Sequence, residues 1–79
     1  MNNNWKNIDN KLVQDFEFAD FVEAMEFINK VAEVAQKLDH HPEMINNYNK
    51  VTLKLSTHDA GDTVTEKDEE FAREIDKII

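Results

Sequence analysis

Residues 39–59 read DHHPEMINNYNKVTLKLSTHD, and the rest of the chain is organised around them. All three histidines of the protein lie in this stretch: His40 and His41 near its start, and His58 near its end. Val51, Leu53 and Leu55 alternate with polar residues, which predicts a strand over residues 50–58, and the asparagines just before it are typical of a turn. The stretch is therefore predicted to fold as a hairpin with histidines at its two ends. Histidine titrates at about pH 6.5, so it can exchange protons near neutrality, and this cluster is a candidate site.

The flanking sequence predicts the other elements of the fold. Strands are predicted at residues 5–8, 11–18, 44–47 and 50–58, and helices after Asp20 and from about residue 66 to the end. Asp20 with Glu23, and Thr65 with Asp68, have the spacing of helix capping boxes. Pro42 ends the first helix by forcing its predecessor into an extended conformation. The order strand-strand-helix-strand-strand-helix, with short hairpin connections, predicts an α+β fold: a four-stranded antiparallel sheet with helices packed on one face.

The first predicted helix carries a broad apolar stripe. Its core-facing residues are predicted to be Phe21, Met25, Ile28, Val31, Ala32, Ala35 and Leu38. Ala24, Phe27 and Val34 widen the stripe beyond what one sheet face would cover. A generous core is one interpretation of this width; a second contact surface, and hence a homodimer or homotetramer, is the other. We favour the oligomer, because the 79 residues contain no cysteine and form one small domain, residues 1–79, with a small core.

The composition of the chain argues against nucleic-acid and membrane partners. The net charge of −8 argues against direct binding to nucleic acid, which normally requires a basic surface. No apolar run approaches the ~20 residues of a membrane span, and the first residues, MNNNWK, lack the apolar core of a signal peptide. We therefore expect a cytoplasmic protein with no membrane partner.

The histidines and their neighbours form a recognisable pattern. His40-His41-Pro42 is followed, after five residues, by the aromatic Tyr48; His58 comes after nine further residues, and the acidic Asp68 lies downstream. FEFADF at 16–21 and FAREID at 71–76 extend the likeness toward both ends. In these features the chain closely resembles the pterin-4a-carbinolamine dehydratases.

The resemblance implies a substrate, a reaction and roles for the histidines. The substrate would be 4a-hydroxytetrahydropterin, which loses water to give the quinonoid dihydropterin during tetrahydrobiopterin recycling. This elimination needs a base for the N5 proton and an acid for the 4a-hydroxyl, but no metal, cofactor or covalent nucleophile. The implied catalytic residues are His40, His41 and His58. His40 and His58 would exchange the protons, with acid and base unassigned, and His41 would help hold the pterin.

The resemblance also implies a wider set of binding residues. The substrate-binding residues would be Asp39, His40, His41, Ser56, Thr57, His58 and Asp59. The possible supporting residues are Gln36, Pro42 and Met44. Gln36 stands where the family usually has an ionisable residue, and Met44 where it usually has a tryptophan. Asp68 is explained by its capping role, so we assign it no catalytic role.

Other functions are compatible with the same residues. Family members in animals also act as dimerisation cofactors of a homeodomain transcription factor, so a non-catalytic module that binds a pterin or a protein partner is the main alternative. An enzyme acting on another pterin, or histidines with only surface roles, are further alternatives. Zinc could be bound by three histidines with Asp39 or Asp59. However, adjacent side chains such as His40 and His41 diverge in extended backbone, which disfavours a metal site.

Overall fold

The computed structural model describes residues 4–79, in which strands and helices follow the predicted order. The elements are β1 (Lys6–Ile8), β2 (Lys11–Glu17), α1 (Phe21–Leu38), β3 (Glu43–Asn47), β4 (Lys50–Leu55) and α2 (Glu66–Ile78). The strands form one antiparallel sheet in the order β1-β2-β4-β3. The predicted α+β fold with a four-stranded antiparallel sheet is therefore confirmed.

Two tight turns set the register of the sheet. Asp9 and Asn10 join β1 to β2 with φ of 52° and 62°, the left-handed pair typical of a type I′ hairpin turn. Tyr48 begins the two-residue turn between β3 and β4 with φ of 55°. The side-chain amide of Asn46 donates to the carbonyls of Tyr48 and Lys50, at 3.2 and 3.0 Å, and so closes this second turn. The start of β3 therefore lies beside the end of β4.

The core lies between one face of the sheet and the two helices. Alternate residues of the central strands are buried, among them Leu12, Phe16, Val51, Leu53 and Leu55. Phe27 of α1 packs against this face, with its ring centroid 4.7 Å from that of Phe16 and 5.0 Å from that of Phe18. From α2 the buried side chains are Asp68, Phe71, Ala72 and Ile75. No helix within residues 4–79 has the length and hydropathy needed to cross a bilayer.

The buried face of α1 differs from the predicted one. Its buried residues are Ala24, Phe27, Val31 and Ala35. Phe21 is instead 45% exposed and Ala32 is also exposed, so their prediction as core residues is wrong. The physical reason is the orientation of the helix, whose contacts with the sheet are centred on Phe27 rather than on Phe21. Because the stripe is wider than the contact, periodicity alone did not identify its centre.

The strand β4 is shorter than predicted. It ends at Leu55, whereas the sequence predicted a strand through His58. After Leu55 the chain turns, because the N–H of Thr57 donates to the Thr63 carbonyl at 2.8 Å, and a 3-10 turn follows at His58–Ala60. The strand alternation therefore does not extend to His58, although that side chain does lie outside the core.

The N-terminal cap of α1 provides a test of the local stability of the fold. The Asp20 carboxylate accepts from the N–H of Glu23 at 2.9 Å, as the capping-box spacing predicted. We expect Asp20→Ala to lower the free energy of unfolding by about 1 kcal/mol, because a helix N–H loses its partner. Urea denaturation measures this change. Glu33→Ala, an exposed change within the same helix, is the control. Equal stability of the Asp20 and Glu33 variants would contradict the expectation.

Candidate active site

Hairpin geometry brings the predicted site residues together. Glu43 at the start of β3 pairs with Lys54 near the end of β4. The residues just before β3 and just after β4 therefore meet at the same end of the hairpin. His40 and His41 arrive from one side, and the segment 56–59 from the other.

The end of α1 directs the first two histidines toward this position. Asp39 adopts a left-handed conformation, with φ of 50° and ψ of 46°, and its N–H bonds to carbonyls of the last helical turn. The N–H of His40 donates to the Ala35 carbonyl at 3.1 Å. Pro42 follows, so the helix cannot continue and the chain passes directly into β3. This local sequence turns the chain sharply where the histidines lie.

An open pocket of about 250 Å³ lies between the two segments. Its lining consists of Asp39, His40, His41, Ser56, Thr57, His58, Asp59 and Lys67. The structure thus brings together all seven residues that were predicted to bind substrate. The three possible supporting residues, Gln36, Pro42 and Met44, are not part of the lining. A larger concavity of about 550 Å³ on the sheet contains no histidine, so the smaller pocket is the better candidate for proton transfer.

His40 is held by a buried carboxylate. Its Nε2 lies 2.6 Å from Oδ1 of Asp68, which is fully buried at the start of α2, and only 12% of the His40 side chain is exposed. The imidazole also meets the Phe71 ring edge-on, with 6.1 Å between centroids. Since an ionised carboxylate only accepts hydrogen bonds, Nε2 carries a proton in this contact. In the neutral ring, Nδ1 is then the nitrogen with the free lone pair.

Asp68 combines this contact with its predicted role as a cap. Its Oδ2 accepts from the N–H of Thr65 at 2.9 Å and from the hydroxyl of Thr57 at 2.8 Å. The capping box of α2 is therefore confirmed. The contact with His40, 28 positions away, was missed by sequence reasoning; the family's downstream acidic position was the signal that pointed to it. Three hydrogen bonds satisfy the buried carboxylate, as burial of a charge requires.

His58 has a different environment from His40. It begins the 3-10 turn, and 90% of its side chain is exposed. Its Nδ1 lies 3.0 Å from Oδ1 of Asp62. This hydrogen bond, together with the negative charges of Asp62 and Asp59, raises the pKa of His58 above its ordinary value. The neighbouring carboxylates therefore stabilise the protonated ring relative to the neutral one.

The remaining pocket residues differ in how free their polar groups are. His41 is exposed, and Lys67, which sequence reasoning did not identify, adds the only cationic side chain other than histidine to the lining. Thr57 is buried, and its N–H, carbonyl and hydroxyl all have partners within the chain. Thr57 therefore shapes the pocket more than it offers contacts. Within residues 4–79, no group of three or more carboxylate or imidazole side chains is arranged to hold a metal ion.

Comparison with known proteins identifies the family. The profile of the family described as "Pterin 4 alpha carbinolamine dehydratase" matches residues 1–78. A Picosynechococcus protein named "Putative pterin-4-alpha-carbinolamine dehydratase" is 46% identical over 94% of this chain and 79% of its own length. A Sulfolobus acidocaldarius protein of the same name is 47% identical over 94% of this chain and 80% of its own length.

Solved structures agree with this assignment. A transcriptional coactivator/pterin dehydratase from Brucella melitensis superposes with a TM-score of 0.89 and 40% identity, over 96% of this chain and 82% of its own. A pterin dehydratase-like protein, described as a RuBisCO assembly factor in the alpha-carboxysome, has a TM-score of 0.77 over 92% of this chain and 86% of its own. Its identity is only 20%, so it supports the fold alone. The chain belongs to the pterin 4 alpha carbinolamine dehydratase family.

Proposed function

We propose that this protein removes water from 4a-hydroxytetrahydropterin by histidine acid–base catalysis, without a metal or redox cofactor. The observation that supports this most is the pair of histidines in one pocket, each hydrogen-bonded to a carboxylate. His40 is mostly buried against Asp68, whereas His58 lies in an exposed turn beside Asp62. Two separate histidines in one pocket can serve as the base and the acid of one elimination.

His40 is the proposed base. Asp68 accepts the Nε2 proton, which leaves Nδ1 unprotonated in the neutral ring. A carboxylate partner also stabilises the imidazolium that forms when the ring takes a proton. His40 would thus remove the proton from N5 of the pterin, and the electron pair would form the C4a–N5 double bond.

His58 is the proposed acid. The neighbouring carboxylates favour its protonated form, so it can donate a proton to the 4a-hydroxyl as the C4a–O bond breaks. The products are water and the quinonoid dihydropterin. One proton leaves His58 and one arrives on His40, so exchange with solvent restores both residues for the next cycle.

The other pocket residues are proposed to bind the pterin ring. Asp39 and Asp59 offer acceptors to its amino and N–H groups, while His41 and Lys67 offer donors to its carbonyl oxygen. Ser56 lies between the end of β4 and the 3-10 turn and can add a hydroxyl contact. The partner implied is therefore a small molecule with both donors and acceptors on a flat edge.

The test is the rate of dehydration of 4a-hydroxytetrahydropterin with the purified wild-type protein. We expect a rate that increases in proportion to enzyme concentration above the uncatalysed background, since acid–base groups contribute about 10²–10⁴-fold. Bovine serum albumin at equal concentration is the control for non-specific buffering by protein. A rate equal to background at high protein concentration would contradict the enzyme proposal.

A protein-binding module is the second candidate function. Phe21 and Val22, at the start of α1, are 45% and 65% exposed, and large apolar side chains in such positions are typical of contact surfaces. A homodimer or homotetramer was predicted from Ala24, Phe27 and Val34, but Ala24 and Phe27 are buried in the core. The exposed Phe21 and Val22 would still suit such an oligomer, which sedimentation analysis would test. Gln36 and Met44, which depart from the family pattern, also lie outside the pocket lining, so they do not by themselves favour loss of catalysis.

A further inference from the structure

We propose that Asp62 is a positioning residue: it holds the His58 ring through Nδ1 and so presents Nε2, with its proton, to the pocket. This inference rests on the proposed dehydratase function, and it concerns a residue that lies outside the pocket lining. Asp62 does not itself contact a substrate in this arrangement. It would act only through His58.

The turn that carries both residues has a well-defined geometry. The N–H of Gly61 donates to the His58 carbonyl at 3.0 Å, and the N–H of Asp62 donates to the Thr57 carbonyl at 3.1 Å. The bond from Thr57 to the Thr63 carbonyl closes the segment. Gly61 and Asp62 have φ of 85° and 58°, a left-handed pair that reverses the chain. Four residues after His58, the Asp62 carboxylate thereby returns to the imidazole.

This contact decides which ring nitrogen serves the pocket. Oδ1 of Asp62 is 3.0 Å from Nδ1 of His58, and a carboxylate requires a proton on that nitrogen. Nε2 is then the nitrogen available to a ligand. Because 90% of the His58 side chain is exposed, little packing restrains its rotamer, and the hydrogen bond is the main restraint on the ring.

The negative charges beside His58 act in the same direction, and both raise its pKa. The titratable side chains that line the same pocket are Asp39, His40, His41, Asp59 and Lys67. The largest influence is the hydrogen bond to Asp62, followed by the charges of Asp62 and Asp59, and together they raise the pKa of His58. Asp62 should therefore keep His58 protonated to a higher pH than the ring would remain without it. An acid that stays protonated to higher pH extends the alkaline side of the activity profile.

Two substitutions at Asp62 separate the effect of its negative charge from that of its hydrogen bond to His58. Asp62→Asn removes the charge but keeps an oxygen acceptor, and asparagine tolerates the left-handed backbone. Asp62→Gly removes the acceptor as well and suits a positive φ without strain. Glu33→Gln, which removes one negative charge from the exposed surface of α1, is the matched control. All three variants are expected to fold.

The first measurement is the pKa of His58 from an NMR titration of the imidazole protons, which does not depend on activity. We expect a lower pKa in Asp62→Asn, a lower one again in Asp62→Gly, and the wild-type value in Glu33→Gln. The second measurement is kcat against pH. The alkaline limb of this profile should move to lower pH in the same order, because less His58 is protonated at a given pH.

The outcomes distinguish this inference from the proposed function. Background rates in the wild type and in every variant would overturn the dehydratase function, and the positioning role with it. If the wild type is active, an unchanged His58 pKa in Asp62→Gly overturns the inference alone. The inference is also overturned if the His58 pKa falls in Asp62→Gly while the pH profile of kcat matches that of the wild type. A joint shift of pKa and profile supports it.

Discussion

Replacing His58 with alanine should reduce kcat for dehydration by about 10²–10⁴-fold, the usual contribution of a positioned acid or base. The leaving hydroxyl would then depart without a proton donor. Since the His58 side chain is exposed and supports no core packing, the free energy of unfolding should change by less than about 0.5 kcal/mol. Steady-state kinetics and urea denaturation of the same preparation measure both quantities.

The exposure of His58 allows a stringent control. Free imidazole can reach the open pocket, so adding it should restore part of the lost rate in His58→Ala. His58→Gln, which can form hydrogen bonds but cannot transfer a proton, should be as slow as the alanine variant without imidazole. A variant with wild-type kcat would show that His58 is not the acid.

Replacing Asp68 with asparagine should reduce kcat by a comparable factor of about 10²–10⁴, because it changes the tautomer of His40. The asparagine oxygen can still accept from Thr65 and Thr57, which directs its amide N–H₂ toward His40. Nε2 must then be the unprotonated nitrogen, and the proton moves to Nδ1. His40 would remain in place but could no longer act as a base at Nδ1.

Nitrogen chemical shifts of His40 report the change of tautomer directly. The free energy of unfolding should fall by about 1–3 kcal/mol, because hydrogen bonds to a charged group are replaced by weaker ones. Asp20→Ala is the control: it weakens the cap of α1 by about 1 kcal/mol, and Asp20 does not line the pocket. We expect that control to keep kcat. Equal kcat in Asp68→Asn and the wild type would contradict the proposed role of His40.

Local sequence signals were sufficient for most of the fold. The alternation in β4, the Asp-Asn turn, the Asp20 cap of α1 and the capping box of α2 depend on neighbours within four residues, and all of them are found in the structure. The second half of the box predicted at Asp20 does not form, because the Glu23 carboxylate accepts from the N–H of Ala19 instead. The face of α1 and the end of β4 were predicted wrongly, because they depend on contacts that are distant or specific to one turn. Phe27 lies opposite Phe16 and Phe18 only once α1 is docked, and Thr57 leaves the strand to pair with Thr63.

In the site, too, local features were predicted from the sequence and contacts between distant side chains were not. The seven residues predicted to bind substrate line one pocket because the hairpin connects them directly. Lys67 was missed because a lysine in an acidic helix start carries no distinct sequence signal. The contacts of Asp68 with His40 and of Asp62 with His58 require the folded backbone, since each depends on where a side chain points rather than on spacing alone. The roles of these residues in catalysis stay predictions.

The double duty of Asp68 has a consequence for judging activity across related sequences. A lineage that stopped using the pterin reaction would still need this aspartate to start α2, so its presence is a poor diagnostic of an active enzyme. His58 has no such structural role, because its side chain is exposed and can be replaced without destabilising the fold. In related proteins that keep this fold but have lost the dehydratase activity, we therefore expect His58 to be replaced while Asp68 is retained.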